Sequence, residues 1–237
     1  MKVKIVSFED FVDALYFYRM QILIGFGFVL LMIFGFIGYR SYRIRLEARA
    51  HETFVECLSY YDGKVLDSGE SSVSAEIKTF NSAQEKWEAI KDVFLKGYAA
   101  HSRSGLASMF LVYASFAEIN LKTFDTALKT LKQALTVMPD SALKQFYMIR
   151  YAVMQLDSAD NVVVDEGLHV LHTLSRNQRA LGNDYILYVL GDYYWSKKDF
   201  IKSADAWNML EMYYGSDTED QSDWYIKAKD RLATISV

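Results

Sequence analysis

The chain has 237 residues, 26 of them Lys or Arg and 30 Asp or Glu, which gives a formal net charge of −4. Nucleic-acid binding needs clustered Lys and Arg, and no basic stripe occurs, so nucleic acid is excluded as an expected partner. Cys57 is the one cysteine, which excludes a disulfide within the chain.

The first segment, residues 1–19, has the pattern of an amphipathic helix. Its apolar residues recur at the three- and four-residue spacing of one helix face. They are Phe8, Phe11, Val12, Leu15 and Tyr16. Glu9, Asp10 and Asp13 fall in the first turns, where the helix dipole favours acidic side chains. The pattern predicts a helix that lies along a membrane surface.

The second segment, residues 20–39, reads MQILIGFGFVLLMIFGFIGY and contains no charged side chain. As a helix it would be about 30 Å long, which matches the hydrocarbon core of a bilayer. A cleaved signal peptide is the alternative, but its apolar core would be only about 7–15 residues long. The nearest Ala-x-Ala sequence that could serve as a signal-peptidase cleavage site, Ala48-Arg49-Ala50, lies beyond the arginines that follow the run, where cleavage is not expected. The sequence therefore predicts an uncleaved transmembrane helix that contacts the lipid bilayer through Met20–Tyr39.

Two further segments precede the main domain. Apolar residues continue at helical spacing after the span, so residues 40–62 are predicted as a membrane-proximal helix that ends near Asp62-Gly63. Residues 63–82 are predicted as a linker or long loop, because they include the run DSGESS. Helical patterning resumes at Ala83.

Residues 83–237 contain repeated helix-pair patterns. The stretch Ser108–Pro139 resembles the tetratricopeptide repeat of about 34 residues, in which small side chains let two antiparallel helices approach closely. A second copy fits Leu187–Trp207, and a weaker one fits Met148–Leu174. A short helix, Asp223–Ile235, is predicted to cap the stack. The predicted fold is all-α: a transmembrane helix followed by a tetratricopeptide-like α-solenoid of antiparallel helix pairs.

No motif in the chain predicts catalysis, a cofactor or a metal. His169 and His172 share a helix face, but no further ligand joins them there, so ordinary surface histidines are favoured. The acidic residues from Asp157 to Asp165 lack the glycine and glutamate of a calcium loop. We therefore expect a protein that is not an enzyme.

A helical solenoid usually binds partners on its inner surface, which the first helix of each pair builds. Here that rule predicts Val112, Phe116 and Asn120 from the first pair. From the last pair it predicts Tyr185, Tyr188, Asp192 and Trp195. The alternative is that Tyr188 and Trp195 pack on a neighbouring helix, since core and interface aromatics look alike in sequence.

The whole arrangement resembles the YfgM-like ancillary subunit of the bacterial Sec translocon. The resemblance runs from FEDFVDALYFYR through GFIGYRSYR to DRLATISV, with its best local matches in LKQFYMIRYAVMQL and GYAAHSRSGLASMFLVYASFAEI. It implies an inner-membrane protein with a periplasmic domain, and it implies the SecYEG translocon and a membrane-anchored periplasmic chaperone of the PpiD type as partners. The implied role is to help newly translocated proteins.

The charges that flank the span favour the opposite orientation by a small margin. The N-terminal side carries Lys2, Lys4 and Arg19. The C-terminal side carries Arg40, Arg43, Arg45 and Arg49. Since positive flanks stay in the cytoplasm, this count predicts the alternative of a cytoplasmic-facing, membrane-tethered scaffold that recruits soluble partners.

Overall fold

The computed structural model describes residues 8–66, 77–215 and 221–235. Within these ranges the chain forms nine helices and one pair of two-residue strands, in the order α1 (Phe8–Tyr61), β1 (Lys64–Val65), β2 (Thr79–Phe80), α2 (Ala83–His101), α3 (Ala107–Asn120), α4 (Phe124–Val137), α5 (Ala142–Gln155), α6 (Asn161–Ser175), α7 (Asn183–Ser196), α8 (Phe200–Tyr214) and α9 (Asp223–Ile235). The prediction of an all-α protein is confirmed.

Helix α1 is a single helix of 54 residues. The described part of the predicted N-terminal helix and the predicted span belong to this one helix, with no break between residues 19 and 20. The physical reason is that the chain's one proline, Pro139, lies elsewhere, so nothing removes a backbone hydrogen bond here.

The apolar part of α1 is exposed along its length. Every side chain that the structure describes between Tyr16 and Tyr39 is exposed, and Leu31 reaches 73%. Among the described helices, α1 is the one long and apolar enough to cross a membrane. A contiguous exposed apolar surface of this kind is typical of a region that contacts a membrane or another protein.

The chain divides into two compact units, residues 1–53 and 54–237. The last turns of α1, from Phe54 onward, therefore belong to the second unit. Phe54 packs edge-on against Phe94 of α2, with ring centroids 5.8 Å apart, and Cys57 is buried in the same cluster. These apolar contacts join the end of α1 to the domain core.

The predicted linker, residues 63–82, begins and ends in paired strands. β1 and β2 are parallel, with Val65 opposite Phe80, and the Phe80 side chain is buried. Residues 67–76, which contain the middle of the predicted linker, lie outside the described residues. α2 begins directly after this segment, at Ala83.

From α2 onward, each helix packs against the next one in the chain. Small residues lie at these contacts: Ala114 of α3 and Ala127 of α4 are fully buried. Gly191 of α7 lies so close to the Trp207 indole of α8 that a Cβ atom at residue 191 would overlap it. These residues permit the close approach of neighbouring helices.

The three predicted helix pairs correspond to α3–α4, α5–α6 and α7–α8. The middle pair differs most from the prediction, because α5 begins at Ala142, six residues before Met148. Ser141 accounts for this earlier start: its side-chain oxygen accepts a hydrogen bond from the Lys144 amide at 3.3 Å, as an N-cap does.

The predicted terminal helix is confirmed as α9, Asp223–Ile235. Tyr225 and Ala228 of α9 are buried against Trp207 and Leu210 of α8. α9 also packs against α7. It therefore covers apolar side chains of the last helix pair that would otherwise face solvent.

Candidate functional site

A groove of about 1300 Å³ lies in the helical domain. Its wall comes from four places: the α3–α4 turn with the first turns of α4, one face of α5 with the residues that follow it, the start of α7, and the start of α9. No single helix pair builds it, so the groove depends on how successive helices pack.

Helix α5 supplies most of the floor. Phe146, Ile149, Arg150, Val153 and Asp157 recur at three- and four-residue spacing and all line the groove. Ile149 is buried, whereas Phe146, Arg150 and Asp157 are exposed. Along this floor an aromatic ring is followed by a cation, by apolar side chains and then by a carboxylate.

Arg150 lies near the middle of this floor. Its guanidinium carbon lies 4.6 Å from the centre of the Phe116 ring of α3. This is the geometry of a cation–π contact. No ion pair or hydrogen bond joins the Arg150 side chain to any residue in the described part of the chain.

The wall at α7 and α9 is aromatic. The Tyr185 and Trp224 rings lie 4.8 Å apart, and burial raises the pKa of the Tyr185 hydroxyl, with the Arg150 charge opposing that rise. Asp184 lies beside them, where one carboxylate oxygen accepts a hydrogen bond from the Tyr185 amide at 2.8 Å and the other accepts from the Ser222 hydroxyl at 2.7 Å. Both Asp184 oxygens are therefore engaged within the protein.

The opposite wall is the α3–α4 turn. Lys122 has a φ of 60°, the left-handed conformation that lets the chain reverse between the two helices. It is exposed, as is Phe124 at the start of α4, whose side chain is 56% exposed. A large exposed aromatic beside a groove is a typical protein-binding feature.

The structure separates the residues predicted to bind a partner. Tyr185 lines the groove, and Phe116 lies half-buried beneath Arg150. Asn120 is exposed, and its amide nitrogen donates to the Phe116 carbonyl of its own helix at 2.8 Å. Val112, by contrast, is fully buried, so its prediction as an inner-surface residue is wrong: it packs in the core with α4.

The other three predicted residues contact neighbouring helices and are half-buried. The Tyr188 ring lies 5.0 Å from that of Trp224, and Asp192 forms an ion pair with Arg231, both in α9. Trp195 contacts two rings of α8, at 5.0 and 5.8 Å. This is the packing alternative that the sequence left open, although partial exposure leaves their partner-binding role a prediction.

The groove also contains three residues that the sequence did not predict as partner-binding: Phe124, Phe146 and Arg150. Phe146 and Arg150 lie on α5, whose start the repeat pattern missed. Phe124 occupies a packing position of the repeat pattern, but its side chain lines the open groove and is 56% exposed. An aromatic and an arginine four residues apart on one helix face was the available signal.

The two histidines considered as metal ligands are on α6. The His172 Nε2 atom is hydrogen-bonded to the Tyr194 hydroxyl at 2.8 Å. Burial lowers the pKa of His172, and nearby Arg176 and Lys202 lower it further. Among the residues that the structure describes, no group of three or more potential ligands has the geometry to hold a metal ion.

No family model, curated protein or solved structure matches this chain.

Proposed function

We propose that this protein is a membrane-anchored scaffold for protein–protein interaction, with helices α2–α9 forming a tetratricopeptide-like α-solenoid. The observation that carries the proposal is the solvent-open groove built by successive helix pairs, with an exposed arginine and exposed aromatic rings in its wall. At about 1300 Å³ it exceeds the roughly 300–1000 Å³ typical of small-molecule sites, which favours a polypeptide.

The exposed apolar part of α1 supports the anchor. Residues Met20–Tyr39 would span the bilayer as an uncleaved helix, with Arg40, Arg45 and Arg49 at the headgroup level on one side.

We propose a binding protein rather than an enzyme. In the part of the chain that the structure describes, no histidine or cysteine lines the groove, and these are the side chains that most often serve as general base or nucleophile. Hydrolytic turnover that is lost on mutation of His169 or His172 would overturn this part of the proposal.

The resemblance to the YfgM-like family suggests where the scaffold works. We propose a place beside the SecYEG translocon in the bacterial inner membrane, with the helical domain in the periplasm and a PpiD-type chaperone as a second partner. The alternative is a cytoplasmic-facing scaffold, which the flanking charges favour by a small margin.

Cysteine labelling tests the orientation. Cys57 is replaced by serine, and a cysteine is placed at Asn208, an exposed residue of α8. In intact spheroplasts a membrane-impermeant maleimide should label Asn208→Cys without lysis. Labelling only after lysis would remove the periplasmic role and favour the cytoplasmic scaffold.

Photo-cross-linking tests the scaffold function separately. A benzoylphenylalanine placed at Phe124, in the groove wall, should give adducts in cells that include SecY or a periplasmic chaperone. The same probe at the exposed Lys96 of α2, outside the groove, is the matched control. Equal adducts from both positions, or none from Phe124, would argue against a partner-binding groove.

A further inference from the structure

We propose that the groove binds an extended segment of another protein and pairs an Asp or Glu side chain of that segment with Arg150, between two apolar side chains of the same segment. The inference rests on the proposed scaffold function and names the chemistry of the partner that the groove selects.

Arg150 is the anchor because its guanidinium forms no ion pair or hydrogen bond with the described residues. A guanidinium carries five N–H donors in a planar fork, and a carboxylate accepts two of them at once. The guanidinium carbon lies over the Phe116 ring, 4.6 Å from its centre. A phenylalanine ring accepts no N–H hydrogen bond of the kind a carboxylate accepts, so the guanidinium donors remain available to a ligand.

The acidic residues of the groove do not pair with Arg150. Asp184 already uses both carboxylate oxygens, for the Tyr185 amide and the Ser222 hydroxyl. Asp157 follows in the turn after α5 and forms no ion pair with Arg150. The groove therefore offers an unmatched cation at a defined place.

Apolar surface lies on both sides of this cation. Phe146 is one helical turn before Arg150, and Val153 and Met154 are about one turn after it; all of them line the groove. Phe124 contributes an exposed ring from the opposite wall. A segment with an acidic residue between apolar residues would match this order of side chains.

The charges in the groove wall also favour a peptide over a polyanion as the occupant. Besides Arg150, the groove wall has Lys122 as a second cation, but it also has the carboxylates Asp125, Asp157 and Asp184. A polyanion needs several cations along the wall, where carboxylates outnumber cations, whereas a segment with one acidic side chain needs only the cation of Arg150. A short amphipathic segment with one acidic anchor is therefore the favoured occupant.

Peptide selection on the full chain tests the inference. The intact protein in lipid nanodiscs is used to select from a phage library of random dodecapeptides. We expect the selected peptides to carry Asp or Glu with an aromatic or aliphatic residue on each side. The best peptide is then synthesised, together with a version in which the acid is replaced by its amide, and both are measured by fluorescence polarisation.

Three variants sharpen the result. Arg150→Gln should weaken the best peptide about tenfold or more, a common cost of losing one partner of a charge pair, and the amide version should bind the wild-type protein equally weakly. Arg150→Glu should invert the preference, so that a peptide with Lys in place of its acid binds better than the original. Lys96→Gln removes an exposed cation outside the groove and should leave affinity unchanged.

The outcomes distinguish failure of the acidic anchor at Arg150 from failure of the scaffold function. Peptides selected without an acidic preference, or an Arg150→Glu variant with unchanged preference, would overturn the acidic anchor while the scaffold function stands. A failure to select any peptide would also overturn the anchor; the cross-links from Phe124 then decide whether the scaffold survives. Circular dichroism and melting of each variant confirm that a loss of affinity does not reflect unfolding.

Discussion

At the residue scale, the buried thiol of Cys57 gives a direct test of how the end of α1 packs. Burial raises the pKa of Cys57 from 9.0 to about 11, and the neighbouring Glu56 charge adds to the rise. Because the thiolate is the reactive form, we expect Cys57 in the folded protein to react with Ellman's reagent at pH 8 at least tenfold more slowly than in the urea-unfolded chain. Equal rates would show that the α1 end does not belong to the core.

Glu118 of α3 gives a second test, by pH. Glu118 is only 2% exposed, and one of its carboxylate oxygens has no hydrogen-bond partner among the described residues. Burial raises the pKa of Glu118, while a hydrogen bond with Thr130 and the Lys91 charge oppose the rise. The folded protein therefore holds the Glu118 proton more tightly than the unfolded chain does.

The sign of the effect follows from that pKa. Because the pKa of Glu118 is higher in the folded protein than in the unfolded chain, the residue contributes stability at a pH below its unfolded pKa. That contribution is lost as the pH rises through the folded pKa. Glu118→Gln stays neutral throughout, so its melting temperature should rise relative to wild type between pH 4.5 and pH 7.5. Asp125→Asn, at an exposed site, is the control. A Tm difference that does not change with pH would contradict titration of Glu118.

At the element scale, the α7–α8 contact predicts an unusual effect of a helical glycine. Replacing a glycine by alanine inside a helix normally stabilises by about 0.5–1 kcal/mol. At Gly191 the added Cβ would overlap the Trp207 indole. We therefore expect Gly191→Ala to destabilise by about 1–3 kcal/mol, measured by chemical denaturation. In a Trp207→Leu background the same change should cost clearly less; an unchanged cost would mean that the indole is not the obstacle.

The α3–α4 contact predicts a contrast between two substitutions on one helix. Ala127 is fully buried against α3, so Ala127→Leu should overpack the contact and cost about 1–3 kcal/mol. Lys129, two residues later, is exposed, and Lys129→Leu should change stability by no more than about 0.5 kcal/mol. Thermal melting of both variants compares them directly, and equal melting temperatures would show that the helix faces are assigned wrongly.

At the scale of the whole molecule, the proposed anchor predicts how the chain partitions. Because Met20–Tyr39 is long enough to cross a bilayer, the full chain should stay in the membrane pellet after alkaline carbonate extraction. A chain that begins at Arg40 should be recovered in the soluble fraction, with a helical circular dichroism spectrum. Release of the full chain by carbonate would contradict a spanning helix.

Local patterns were sufficient for the helical elements of this protein. The spacing of apolar residues predicted helices at the positions of α3, α4, α7, α8 and α9, and α9 begins and ends at the predicted residues. Helical periodicity, small contact residues and a long uncharged run are properties of neighbouring residues, so a sequence records them directly.

Only the tertiary structure decided which helix faces remain open. Tyr185, Tyr188 and Trp195 were all predicted for the same inner surface. All three contact rings of neighbouring helices, but of the three only Tyr185 also lines the groove. Arg150 and Phe124 are 26 residues apart in the chain and line one groove because α4 packs against α5. Periodicity shows which residues share a face of one helix, but whether that face is covered depends on neighbours distant in sequence, which only the packed structure brings together.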